Sequence, residues 1–426
     1  MRVLYVAFYF PPTSGGGVER TLRFCQHLPE HGIDCEVLAP VDARWLADDP
    51  TSLARIPDGL RVHRVRYRGP GNRVLPADRL AAATGTVERA LLRARLAPRR
   101  LLLPDVDVPW LVDVVPEATR LLRTGRFDAL LTTSPPHSVT VAGGLLARRT
   151  GVPWVADWRD PWLGNPDVAR DRPAVRAKLA VSARLARLVA PRMAGAACVN
   201  DAIADEVRAL APRVPVEVIP NGAEVEQIAA LERHADRRLT FLFTGYFFGE
   251  RGPGVFLDAL AAALRERPDL RDRVRARFVG SFPDPERDRL GALDLTGVVE
   301  IEPTRPHEVV LQAQRDADVL LLFMQDRVGA EAVVPAKTWE YLAADRPVLA
   351  LVPPDGAAAW EIATAGAGRV VAPHDTDGVR RAILQLAERH AAETLAVPGL
   401  SPAAREAISR RGRTAQLAGL LRRAAG

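Results

Sequence analysis

Short apolar runs alternate with segments of helical period along the whole of this 426-residue chain, and no other feature restricts its fold as much. A run of four to seven residues that is apolar throughout suits a strand buried on both faces, and such strands occur in parallel sheets covered by helices. Residues 3–8, 35–39, 61–65, 129–132, 152–157, 196–199 and 216–219 read as strands in the first half; 239–244, 274–279, 298–301, 319–323, 348–351 and 368–371 do so in the second. The pattern predicts an α/β protein of two doubly wound, Rossmann-like domains of similar size.

The quartet Ile219-Pro220-Asn221-Gly222 forms a turn after the last strand of the first half, and the polar stretch 224–238 precedes the next strand. The expected division is a domain over 1–220, a linker over 221–238, a second domain over 239–400 and a basic terminal helix within 401–426. The less regular stretch 43–104 is expected to hold an inserted hairpin and helix.

Charge and cysteine content narrow the function. A formal charge of +6, carried mostly by arginine, favours an anionic partner such as nucleotide phosphate or acidic lipid. The chain carries no aromatic-rich RNA-binding strand, zinc finger or basic zipper pattern, so nucleic acid is not an expected partner. Cys25, Cys35 and Cys198 show no C-x-x-C spacing, which argues against a disulfide framework and a zinc knuckle and points to a reducing, cytoplasmic setting. The opening apolar run breaks into Pro11-Pro12-Thr13-Ser14-Gly15, and it reads as a buried strand and loop, not a secretion signal. No run reaches the roughly 18 apolar residues that a membrane span needs. The helix 173–190 sets Arg176, Lys178, Arg184 and Arg187 among Leu, Val and Ala. It fits two roles: a core-facing helix with a basic outer face, or a patch for the inner face of an anionic membrane.

Open parallel sheets bind ligands beyond the carboxyl ends of their strands, so the loops that follow strands are where chemistry is sought. In the first half, Gly15, Gly16 and Gly17 precede a helix, and they allow a close backbone approach and free N–H groups for an anion, or simply a turn. His137 follows Ser134-Pro135-Pro136 at a helix start, where the dipole favours a neutral imidazole; Ser134 or Ser138 in turn fits a helix cap. Asp157, Arg159 and Asp160 end a strand, and one of the carboxylates is expected to pair with Arg159, either to brace the domain or to leave the other to orient an acceptor hydroxyl. In the second half, Gly245 follows a strand, and Arg251 with Gly252 opens the next helix. Further on, Pro335 opens a helix that carries Lys337, Thr338 and Glu340 in its first turns. Arg251 and Lys337 are cations at helix starts, where the dipole disfavours them, and a bound diphosphate would reverse that penalty. Glu340 lies one turn beyond Lys337 on nearly the same face, as a carboxylate for a ribose diol would; the plain alternative is an i, i+3 surface ion pair.

These segments resemble the retaining glycosyltransferases of family four, which have the GT-B fold. The resemblance runs nearly the whole length: Phe10-Pro11-Pro12 with Gly15-Gly16-Gly17-Val18-Glu19-Arg20, the segments around His137 and Asp157, and the hinge-like Ile219-Pro220-Asn221-Gly222. The middle segments are similar to a subgroup active in surface-polysaccharide assembly. The resemblance implies two facing Rossmann-like domains, with the acceptor mainly in the first, the donor in the second and a C-terminal helix crossing back to the first. It further implies metal-independent transfer of a hexosyl unit from a nucleoside diphosphate sugar to a hydroxyl of a glycan, a lipid-linked or a small-molecule acceptor, with retention and with no cofactor beyond the donor. His137 and Asp160 are the catalytic candidates, although a leaving phosphate can itself take the acceptor proton. Arg251 inherits a phosphate role, while Tyr246 stands where the family has a second cation. Glu340 matches the second acid of the family's Glu-x7-Glu signature. The first acid falls at Ala332, beside Glu331, and the nucleotide base is expected near 303–305.

Overall fold

A computed structural model describes residues 1–13, 16–41, 43, 49–69, 85–87, 89–91, 99, 102–165, 172–247 and 252–426. The chain folds into two compact units, Met1–Asn221 with Arg410–Gly426, and Gly222–Ser409.

In the first unit the elements run β1 (Arg2–Ala7), α1 (Gly16–His27), β2 (Asp34–Val41), β3 (Arg61–Arg66), α2 (Leu111–Thr124), β4 (Ala129–Ser134), α3 (His137–Thr150), β5 (Trp154–Trp158), α4 (Pro173–Val189), β6 (Gly195–Cys198), α5 (Asp201–Leu210) and β7 (Val216–Val218). The strands form a parallel sheet in the order β3-β2-β1-β4-β5-β6-β7. Period-two geometry splits β1 between two cores. Val3, Tyr5 and Ala7 pack with Leu22 and Cys25 of α1 on one face, whereas Leu4, Val6 and Phe8 pack with Val114 of α2 and Val139 of α3 on the other. Sequential strands lie on both sides of β1, so the strand order reverses between β1 and β4, which opens a crevice beyond their carboxyl ends.

The second unit continues with α6 (Val225–Ala229), β8 (Leu239–Gly245), α7 (Gly254–Glu266), β9 (Val274–Gly280), α8 (Asp284–Ala292), β10 (Val299–Glu302), α9 (His307–Asp316), β11 (Val319–Phe323), α10 (Ala336–Ala343), β12 (Val348–Leu351), α11 (Ala357–Thr364), β13 (Gly368–Val371), α12 (Thr376–Ala391) and α13 (Pro402–Ile408). Its parallel sheet, β10-β9-β8-β11-β12-β13, repeats the same winding with the reversal between β8 and β11. Phe241 and Phe243 of β8 face α7, while Leu242 faces the core shared with α10.

One expectation changes. The terminal helix read over 402–425 is two helices, because Ser409 adopts an extended conformation after α13. The second of them, α14 (Arg410–Ala425), places Leu417, Leu420 and Leu421 in the core of the first unit. Much of 43–104 lies outside the described residues, and in the remainder β3 pairs in parallel with β2, with no hairpin partner among the described residues.

Candidate functional site

Most of the residues singled out by sequence lie at one or other of the two strand reversals. In the second unit, β8 ends at Gly245 with φ +119 and β9 at Gly280 with φ +128, a region that side chains rarely adopt. A Cβ on Gly280 would lie 2.2 Å from the Gly245 carbonyl oxygen, and one on Gly245 would lie 3.0 Å from Lys337 Nζ. The two glycines thus make a bare backbone floor. Lys337, the second residue of α10, donates from Nζ to the Thr244 carbonyl at 2.7 Å and stands 3.9 Å over the Phe243 ring. Carbonyl and ring together hold a cation where the helix dipole disfavours one.

Glu340 lies one turn further along α10. Its Oε2 accepts from Gln314 Nε2 at 3.3 Å, and His307 Nε2 is 3.9 Å from its Oε1. Gln314 is buried and also donates to Thr244 Oγ1 at 3.1 Å, so Lys337 and Glu340 are both tied to Thr244. The Tyr341 hydroxyl lies 3.4 Å from Thr244 Oγ1, and burial pushes it well above its ordinary range. Thr338 is buried with no partner for Oγ1 among the described residues. Pro335 caps α10 and is not within its first turn. Glu331 is exposed in the 3-10 turn Ala330–Ala332, its backbone 3.2 Å from where a Cβ on Gly356 would sit. Arg251 lies outside the described residues, and α7 begins at Gly254.

In the first unit the expected pairing is overturned. Asp157 is fully buried and pairs with Arg20 of α1, not with Arg159: Arg20 Nη2 lies 2.7 Å from Oδ1, and Thr133 Oγ1 donates to Oδ2 at 2.8 Å. The same guanidinium donates to the carbonyls of Ile219 at 2.9 Å and Pro220 at 3.0 Å. Asp157 and Val155 share one face of β5, and that face meets α1; Asp157 therefore braces the domain. Arg159 instead donates to the carbonyls of Ser134 at 3.3 Å and Pro135 at 2.9 Å. Its Nη1 lies 1.7 Å from where a Cβ on Gly17 would sit, so this glycine is needed for the guanidinium to rest on the first turn of α1. Gly16 begins α1, and Gly15 lies outside the described residues.

His137 is the first residue of α3 and stacks on Trp162, with ring centroids 5.1 Å apart and planes 1° apart. Burial lowers its pKa to about 3; a ring hydrogen bond to the Pro161 carbonyl opposes that shift, and the Arg159 charge adds to it. Desolvation favours the neutral imidazole. Nδ1 is buried with no partner among the described residues, which leaves it as an acceptor lone pair. Neither Ser134 nor Ser138 caps α3. The Ser138 N–H goes to Asp105 Oδ2 at 2.7 Å, so a carboxylate already occupies that helix start. Asp160 is exposed, yet the protein on its inner side raises its carboxyl above the ordinary range, and Arg159 opposes the rise. On α4, Arg176, Arg184 and Arg187 are exposed, whereas Lys178 is half-buried: desolvation lowers its pKa and the Asp105 charge opposes this.

Sequence reasoning missed Gln314, His307 and Asp105. His307 and Gln314 carry a weak signal, since both lie on the helix that follows β10. Asp105 carries none, being 33 positions from the N–H it caps.

Residues 15–222 match the family model described as Glycosyl transferase 4-like domain, and residues 238–389 match that described as Glycosyl transferases group 1. The two matched stretches, both to glycosyltransferase domain models, together span most of the chain. No curated protein matches it in sequence. Among solved structures, HepE from Anabaena in complex with UDP is similar at 15% identity and a TM-score of 0.64, over 99% of this chain and 100% of that one. Sucrose-phosphate synthase from Thermosynechococcus elongatus is similar at 15% identity and 0.62, over 99% and 98%. UDP-GlcNAc 2-epimerase from Neisseria meningitidis bound to UDP-GlcNAc is similar at 12% and 0.56, over 99% of each chain. At these identities the likeness concerns the fold, which is the two-domain GT-B architecture. No helix among the described residues is long and apolar enough to cross a membrane.

Proposed function

We propose that this protein moves a hexosyl unit from a nucleoside diphosphate sugar, held in the second unit, to an acceptor hydroxyl, with retention and without a metal. The observation that carries the reading is Lys337 anchored 2.7 Å from the Thr244 carbonyl, beside the glycine floor and one turn from Glu340. From this anchored position Lys337 is proposed to engage the diphosphate, joined by Arg251. As the sugar–oxygen bond breaks, charge grows on the leaving phosphate, and a preorganised cation in a half-buried site stabilises it there. Glu340 accepts the ribose hydroxyls. The leaving phosphate takes the acceptor's proton. In the first unit, His137 is proposed to border the acceptor as a neutral ring and Asp160 to orient it; a histidine held neutral to about pH 3 cannot serve as a cationic proton donor at neutral pH.

A thermal-shift screen of the whole chain with UDP, GDP, dTDP and ADP tests the donor site, because a ligand at a hundredfold its Kd stabilises by about 2.7 kcal/mol. One nucleotide is expected to stand out; no shift with any of them sinks the proposal. Product analysis with the matching nucleotide sugars then separates transfer from epimerisation, in which the sugar is altered but stays on its nucleotide, and from silent binding. The exposed arginines of α4 are proposed to rest on an anionic membrane that presents a lipid-linked acceptor. Sedimentation with acidic vesicles at low salt tests this, and absence of binding removes it.

A further inference from the structure

Tyr246 follows the glycine that ends β8, where a second phosphate-binding cation is expected, and a phenol carries no charge to offer. Its hydroxyl lies 3.0 Å from Thr304 Oγ1. Thr304 follows β10, which is two positions from β8 in the sheet, or roughly 10 Å at the usual strand spacing. The ring therefore leans across the end of β9, away from the reversal between β8 and β11. Lys337 reaches Thr244 from the opposite side, on the helix that follows β11.

The residues in between close a circuit. Thr304 stands three positions before His307, His307 is 3.9 Å from Glu340, and Gln314 ties Glu340 to Thr244 at 3.3 and 3.1 Å. Along this rim the chemistry passes from a cation, through a carboxylate flanked by an imidazole and an amide, to an aromatic ring that is 37% exposed. That is the order of groups along a nucleotide: phosphate, ribose diol, base.

We propose that Tyr246 is the platform on which the donor's nucleobase stacks, with Thr304 holding the ring in place. The inference rests on the donor site proposed above. Stacking of a base on an aromatic side chain is worth about 1–3 kcal/mol, or roughly five- to a hundredfold in affinity.

Isothermal titration of the full chain tests this with the nucleoside diphosphate selected in the thermal screen, and with inorganic pyrophosphate as the base-free probe. Tyr246→Ala is expected to weaken the nucleotide about five- to a hundredfold and to leave pyrophosphate unchanged. Tyr246→Phe, which keeps the ring and loses the Thr304 contact, should stay within a few fold of the parent. An unchanged nucleotide affinity in Tyr246→Ala overturns the platform, and so does an equal loss for nucleotide and pyrophosphate, which would make the residue a phosphate contact. If the parent chain binds no nucleotide at all, the donor reading itself fails, an outcome distinct from either.

Discussion

The same order of six strands occurs twice in this chain, with a seventh strand added in the first unit, and the two reversals use their charges in opposite ways. In the first unit the charges are spent on protein: Asp157 on Arg20, Arg159 on two carbonyls and Asp105 on the start of α3. What remains there is the desolvated, neutral ring of His137 and the Asp160 carboxyl, whose charged form the surrounding protein disfavours. In the second unit a cation and a carboxylate stand half-buried at the strand ends, positioned by bonds to Thr244 and Gln314. One sheet offers groups whose charged forms are disfavoured and the other offers charge, a division that suits a hydroxyl substrate in the first unit and a diphosphate in the second.

The largest test of this contrast is stability. Removing one partner of a buried ion pair leaves the other charge desolvated and costs about 3–5 kcal/mol. Asp157→Ala should lower the free energy of unfolding by that amount, read from urea denaturation, and a loss under about 1 kcal/mol would show that the first unit's charges are not structural. Lys337→Ala should do the reverse. Its stability is expected to stay within about 1 kcal/mol of the parent, while nucleoside diphosphate binding falls by about 2–3 kcal/mol, or roughly fiftyfold, by titration calorimetry.

The neutral character of the first unit has its own pH signature. Folding depresses the His137 pKa from 6.5 to about 3, so in that window the unfolded chain takes up a proton that the native chain refuses. The contribution is intact above pH 6.5 and is lost as pH falls toward 3. Between pH 7.5 and 5 the loss is about 2 kcal/mol, and His137→Phe, which keeps a ring against Trp162, should escape that part of it. Equal acid sensitivity of the two chains would mean that His137 is solvated, and the contrast would weaken.

The strands were readable because a parallel sheet leaves its mark in contiguous residues; 319–323 and 348–351 are strands with the bounds the apolar runs predict. Lys337 and Glu340 were readable for a related reason, since two charges three apart at a helix start form a local pattern. Arg20 as the partner of Asp157 was not, because it lies 137 positions away and Arg159 competes from two. Strand parity held the answer: Asp157 shares its face with Val155, which packs toward α1, but that face is known only once the helices are placed on the sheet. The anchor of Lys337 was hidden likewise, because its partner is a backbone carbonyl and leaves no trace in residue identity.

The finest test separates a charge from a shape. Glu340→Gln keeps one carbonyl oxygen to accept from Gln314, so the fold around α10 should hold. A carboxylate accepts from both hydroxyls of a ribose diol, whereas an amide has a single acceptor oxygen. The variant is expected to lose about 1 kcal/mol of nucleotide affinity, roughly fivefold, and to lose it selectively. The parent chain should prefer a ribonucleoside diphosphate over its 2′-deoxy counterpart, and Glu340→Gln should bind the two nearly alike. If the preference survives the substitution, Glu340 serves the helix and not the ligand, and the second unit's carboxylate would then be engaged by protein in the same way as the charges of the first.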